Sequence, residues 1–186
     1  MVAKHPHKGW YFPRSLPHFD TPEPPQFITF RLVDALPADA PGARLGEGTG
    51  AYRRRVEATL DAGVGAGWLR RPELAEIVCE GLLHDCGETH EMHAYVVMPN
   101  HVHVLATFCQ GSWLSDVVRG WKSFSARRIN ASLGRNGALW QRDYFDRYMR
   151  DEIHFERVRR YIEMNPVIAG LTDAPENWRF SSFKRS

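Results

Sequence analysis

The stretch that most constrains this chain is Tyr95-Val96-Val97-Met98-Pro99-Asn100-His101-Val102-His103-Val104-Leu105. Two runs of β-branched and apolar residues meet at Met98-Pro99-Asn100, the composition of two antiparallel strands joined by a turn. Side chains of a strand alternate faces, so His101 and His103 point the same way, about 6.5–7 Å apart along the strand. Val102 and Val104 then face a core on the other side. Two imidazoles on one strand face can grip a single divalent ion. They can also be two histidines that merely face solvent, and the motif alone leaves both readings open.

Composition narrows the class. A chain of 186 residues is long enough for one domain with its own core, and 43% hydrophobic with 25% charged residues is ordinary globular usage. No run approaches the ~20 apolar residues of a membrane span, and the first eight residues lack an apolar signal core. The expectation is a cytoplasmic protein with no membrane partner. Cys79, Cys86 and Cys109 are an odd number without close pairing, which fits neither a disulfide framework nor a zinc knuckle, so they read as reduced and mostly buried. Net charge is +2, but between Gly111 and Gly170 eleven Lys/Arg stand against seven Asp/Glu, and Arg53-Arg54-Arg55 and Arg70-Arg71 add basic clusters upstream. A cleft lined by such residues attracts polyanions even on a nearly neutral protein.

The chain divides into an N-terminal arm (1–25), in which Pro22, Pro24 and Pro25 oppose regular structure, a domain (26–171) and a C-terminal tail (172–186). Gln26–Leu32 reads as the first strand, Asp34–Gly50 as a loop, Ala51–Leu60 as a helix and 62–67 as glycine-rich punctuation. Pro72 opens a helix with Leu74, Ile77, Val78 and Leu82 as its apolar stripe. Strands follow over His93–Val97 and His101–Phe108. Ser112 is the expected N-cap of a long helix reaching Ser132, and Leu139–Met149 is an aromatic segment with strand character. Asp151-Glu152 favour a last helix ending near Met164. The expected fold is therefore α+β, an antiparallel sheet with helices packed on one face.

In that last helix Phe155, Val158 and Ile162 form the buried stripe. At about 100° per residue, Tyr161 falls at the edge of the stripe, with His154 on nearly the same azimuth and Asn165 one turn further on. Pro166 disfavours a helical Asn165, which places its amide at a frayed helix end. If this helix packs on the face that carries His101 and His103, two imidazoles, an amide and a phenol converge. An ordinary amphipathic tyrosine at a core boundary accounts for Tyr161 equally well.

Three blocks in order, Met98-Pro99-Asn100-His101-Val102-His103, Trp140-Gln141-Arg142-Asp143-Tyr144-Phe145-Asp146-Arg147 and Arg160–Leu171, resemble the REP-associated tyrosine transposases, relatives of single-tyrosine insertion-sequence transposases in the His-hydrophobic-His (HUH) superfamily. Leu16–Asp20 and Gln26–Leu32 are similar to that group too, so the resemblance covers nearly the whole chain. It implies a ferredoxin-like domain that cleaves and rejoins single-stranded hairpin DNA of the repetitive palindromic type through a 5′-phosphotyrosine. His101 and His103 match the metal-binding pair, Tyr161 the nucleophile, and Asn165 the place of a third ligand, for Mg²⁺ or Mn²⁺. Single-stranded DNA contacts would fall to Arg119, Lys122, Arg127 and Arg142 on phosphates, and to Trp140, Tyr144 and Tyr148 on unpaired bases. Such proteins act as monomers or homodimers, and Tyr161 could serve the histidines of its own chain or of a second copy.

Other classes share parts of this pattern. Leu105 stands where a His-x-His-x-His nucleotidyl hydrolase needs its third histidine, and a second His-x-Thr or His-x-Ser motif, required by two-histidine phosphoesterases, is absent. A replication-initiator or relaxase-type nickase shares the metal and tyrosine chemistry. A non-catalytic regulator that holds hairpin DNA without cutting it is the alternative of a different kind.

Overall fold

One strand explains the layering. In the computed structural model, which describes residues 7–12, 17–36 and 49–183 (the side chains of 49, 50 and 52–54 excepted), His101–Phe108 is buried along nearly its whole length. Val102, Val104, Ala106 and Phe108 point to one side and His101, His103 and Leu105 to the other, so both faces of the sheet need cover. Among the described residues six strands are present: β1 (Gly9–Tyr11), β2 (His18–Asp20), β3 (Gln26–Arg31), β4 (His90–Val97), β5 (His101–Phe108) and β6 (Phe145–Tyr148). The main sheet has the antiparallel order β4-β5-β3-β6, the arrangement of a ferredoxin-like fold. The α-helices among the described residues are α1 (Thr49–Asp61), α2 (Pro72–Leu83), α3 (Leu114–Ser132) and α4 (Glu152–Ile168).

Helices α2 and α3 cover the valine face, with Leu74, Val78, Leu82, Val118 and Trp121 against Ile28, Phe30 and Val104. The histidine face is not left to solvent. Helix α4 lies on it, with Val158 and Ile162 packed against Phe27, Ala94, Val96 and Leu105. The expected α+β antiparallel sheet is present, and α4 covers its second face as well, because Phe27, Val96 and Leu105 make that face apolar too.

Other differences from expectation have local causes. Ser112 does not cap α3; its N–H is taken by the Cys109 carbonyl in a turn, and Trp113 is the N-cap without a side-chain bond. The buried Asp20 carboxylate accepts the Leu114 N–H instead, at 3.0 Å, together with the Lys8 N–H at 3.0 Å. Helix α4 does not fray before Pro166 but runs through it to Ile168, keeping Asn165 helical. So near a C-terminus proline removes only one intrahelical bond, and the buried face of the last turn offsets that loss. The expected irregular arm contains β1 and β2, paired antiparallel. His18 donates to the Asp146 carboxylate and the Phe19 N–H reaches its second oxygen at 3.0 Å, which fastens β2 beside β6. All three cysteines are free, but Cys86 is exposed and the other two only half-buried. In the tail, Ser182 Oγ accepts the Tyr95 N–H at 2.8 Å and Phe180 O the Val97 N–H at 2.8 Å, so the tail covers the open edge of β4. Residues 37–48 of the expected loop, and the Arg53 and Arg54 side chains, lie outside the described residues.

Asp20 joins the arm to α3 through two backbone donors, so Asp20→Ala should lower unfolding free energy by about 1–3 kcal/mol. Urea titration followed by circular dichroism measures this, and an unchanged midpoint would contradict the capping role.

Candidate active site

His101 and His103 are both fully buried, which removes the solvent-facing reading. Their rings lean together, with centroids 4.6 Å apart and Nε2 atoms 3.1 Å apart. The remaining ring nitrogens are fixed by neighbours. Asn100 Nδ2–H donates to the Val64 carbonyl at 2.9 Å, which turns its Oδ1 to within 2.7 Å of His101 Nδ1. His101 therefore carries its proton on Nδ1 and presents a lone pair at Nε2. His103 Nδ1 lies 2.8 Å from Thr29 Oγ1, directly across the β3–β5 ladder. A hydroxyl both donates and accepts, so Thr29 tolerates either tautomer of His103. Burial pulls the His101 pKa down to about 3, which leaves the ring neutral at neutral pH.

Tyr161 comes from α4 on the same face of the same chain. Its ring centroid is 5.4 Å from that of His103, and Phe27 fills the angle, stacked on His103 at 5.3 Å and edge-on to Tyr161 at 6.2 Å. One turn on, Asn165 is fully buried, and neither amide atom has a hydrogen-bond partner among the described residues. A buried primary amide with nothing to bind is unfavourable unless a ligand completes it. Asp61, at the end of α1, places Oδ1 3.9 Å from His101 Nε2; burial, with Glu57 adding to it, pushes its pKa up to about 6.

These donors suit a divalent ion. The two Nε2 atoms lie at the spacing of adjacent ligands, and each ring is oriented by a partner behind it. Among the described residues no group of three His, Cys, Asp or Glu is positioned to hold an ion. The third donor would therefore be of another kind, and the orphaned amide of Asn165 is of the right one.

A cleft of about 520 Å³ opens beside Tyr161. Its floor holds Phe27 and Val158, and its rim holds Arg147, Arg150, His154 and Arg157 against Glu57 and Asp151. The three arginines were not singled out from the sequence. The signal was there: His154, Arg157 and Tyr161 fall at i, i+3 and i+7 on one helix face, and Arg147 lies opposite Phe27 in the β3–β6 ladder.

The expected DNA contacts lie elsewhere. Arg119, Lys122, Trp140, Arg142 and Tyr144 line a second cleft of about 540 Å³ between α3 and the arm, on the opposite face of the sheet. Lys122 Nζ donates to the Gln141 and Arg142 carbonyls at 2.7 and 2.9 Å, and Arg119 pairs with Asp116 at 3.2 Å. Trp140 presents no free face to an unpaired base, because its ring is edge-on to Phe30 in the core and its indole N–H is bonded to Ser125 Oγ. Tyr144 stacks on His18 and shares a hydrogen bond with Tyr11; burial first, then that bond, raises its pKa, which makes it a poor nucleophile. Tyr148 packs on Phe19, and Arg127 is exposed on α3.

Among the described residues no helix is long and apolar enough to cross a membrane. Residues 71–165 match the family model described as "Transposase IS200 like". A REP-associated tyrosine transposase of Escherichia coli (strain K12) is 28% identical over 95 residues, covering 51% of this chain and 55% of that protein. A Haemophilus influenzae relative, provisionally given the same name, is 23% identical over 108 residues, covering 51% of this chain and 60% of its own. The chain thus spans little more than half the length of the curated relatives it matches. Among solved structures, one of a REP-associated tyrosine transposase bound to a REP hairpin superposes with a TM-score of 0.60 at 18% identity, over 91% of this chain and 82% of that one. That likeness is one of fold.

The depressed His101 pKa has a consequence for stability. The folded state resists a proton that the unfolded chain accepts near pH 6.5, so the contribution is complete above that pH and is lost as pH falls toward about 3. In metal-free buffer, unfolding free energy should fall by up to about 1.4 kcal/mol per pH unit across this window beyond what His101→Gln shows. Parallel slopes for the two proteins would contradict it.

Proposed function

The chain belongs to the IS200-like transposase family, and on that premise we propose that it cleaves and rejoins single-stranded DNA through a covalent 5′-phosphotyrosine on Tyr161. The observation that carries this reading is the Tyr161 ring set 5.4 Å from His103, whose Nε2 is 3.1 Å from that of His101. The substrate class is hairpin DNA of the REP type, extended from the relative solved with such a hairpin.

The residues divide the work. Tyr161 supplies the phenol oxygen that attacks phosphorus; the P–O3′ bond breaks, and the leaving 3′ oxygen takes up a proton. One phosphodiester is exchanged for another, so a 3′-OH can reverse the step and rejoin strands with no external energy source. His101 and His103, with Asn165, would hold a Mg²⁺ or Mn²⁺ ion, which when bound polarises the scissile phosphate and offsets charge in the transition state. Imidazole donors favour Mn²⁺ over Mg²⁺. Phe27 packs against both the His103 and Tyr161 rings and holds their relative orientation. Arg147, Arg150 and Arg157 offer guanidiniums to the phosphates that flank the scissile one. Because Tyr161 and both histidines belong to one chain, a single copy holds a complete set.

Incubation with Mn²⁺ and a labelled single-stranded hairpin from repeats flanking its own gene should give a covalent protein–DNA band on a denaturing gel. The band should need metal and vanish in Tyr161→Phe. Hairpin binding without any such band would leave a non-catalytic DNA-binding protein. A band that survives in Tyr161→Phe would move the nucleophile to another residue. Arg150→Gln and Arg157→Gln should each weaken hairpin binding and lower the slope of log K against log salt by about 0.7; an unchanged slope would place the strand outside this cleft.

A further inference from the structure

The donors gathered at the ion site are all uncharged. Imidazoles that bind a metal do so in their neutral form, and Asn165 brings an amide. A divalent cation in so buried a place keeps most of its charge uncompensated, which is strongly unfavourable without a counter-charge nearby. Among the described residues the Asp61 carboxylate stands within reach. Asp61 Oδ1 lies 3.9 Å from His101 Nε2, is buried, and accepts no hydrogen bond among the described residues. The separation is too long for a hydrogen bond. The Asn100 side-chain oxygen Oδ1 already takes the His101 proton on the other side of the ring, so Asp61 faces a lone pair rather than a donor. Two oxygens of the kind a cation takes, Asp61 Oδ1 and Asn165 Oδ1, are buried without a hydrogen-bond partner among the described residues. Ligands held at about 2.1–2.2 Å and at right angles lie about 3 Å apart, matching the 3.1 Å between the two Nε2 atoms.

We propose that Asp61 supplies the counter-charge for a divalent ion held by His101 and His103. The assignment rests on the metal-dependent reading above and adds a residue outside the family-matched span 71–165, from the segment that links β3 to α2. Asp61 would raise affinity for the ion and keep it in place before DNA arrives, when no substrate phosphate is present to share its charge.

The test is Mn²⁺ titration calorimetry on the full chain without DNA. Wild type should bind one ion, and Asp61→Asn should weaken binding by about 10–100-fold while melting like wild type in EDTA. Asp61→Glu, which keeps the charge, should retain affinity within about threefold of wild type. Glu57→Gln removes a charge one turn away and should stay within about threefold as well. Unchanged affinity in Asp61→Asn would overturn the proposal, as would an equal loss in Glu57→Gln, which would mean a diffuse field rather than Asp61. If Asp61→Asn melts lower in EDTA, Asp61→Glu decides, and a tenfold loss there overturns it. Failure of wild type to bind Mn²⁺ would overturn the metal reading itself and this assignment with it.

Discussion

Two imidazoles enclosed between a sheet and a helix set the terms for everything around them. In water each ring nitrogen would find its own partner; under α4 it must be given one. His101 is served by the Asn100 amide and His103 by the Thr29 hydroxyl, so only the two Nε2 atoms are left, facing each other. Asn100 can serve because Val64 holds the other end of its amide. Val64 sits among glycines, and at Gly65, with φ of +93°, a Cβ would lie 2.5 Å from the Asp34 carbonyl. The glycine-rich stretch that reads as punctuation is thus where the backbone comes close enough to orient a histidine two elements away.

The same packing that stabilises the second core places the tyrosine. Val158 and Ile162 bury α4 against Phe27, Ala94, Val96 and Leu105, and this fixes the rotation of the helix about its axis. Once that rotation is set, Tyr161 has to stand beside His103 and Asn165 has to point inward, whatever the chemistry. Substitutions that shrink this core would therefore disturb the site without touching it. The two faces of the sheet divide the labour. One holds histidines, tyrosine and an arginine-rimmed cleft; the other, with α3 and the docked arm, holds a cleft whose polar residues are largely occupied in holding the fold together.

Much of this was legible in advance because it depends on local periodicity. Alternation in β5 put His101 and His103 on one face, and helical spacing put Tyr161 and Asn165 at the edge of a buried stripe. The Pro-Asn turn, α2 after Pro72 and the long α3 follow from the same patterns. What misled was equally local. Ser112 looked like a cap, but the helix begins one residue later, after Trp113, and the distant Asp20 carboxylate takes the Leu114 N–H; Pro166 looked like a stop, but burial carried the helix past it. Arg119 and Lys122 stand across the sheet from the tyrosine, which a basic count, having no direction, does not show. Only the crossing of α4 over the sheet shows that Arg147, Arg150 and Arg157 are the cations near the tyrosine.

By itself, then, the sequence determined which residues share a face: two histidines on a strand, a tyrosine and an amide on a helix, apolar stripes on their reverse sides. Those relations need only the 2-residue and 3.6-residue periods of the backbone. Tertiary structure decided which faces meet. That α4 closes on the histidine side, that Asn100 and Thr29 stand behind the two rings, and that Asp61 comes within 3.9 Å of His101 are contacts between residues far apart in the chain. Such contacts are set by complementary shape and by the need to pair every buried polar group, and neither can be read from spacing along the chain.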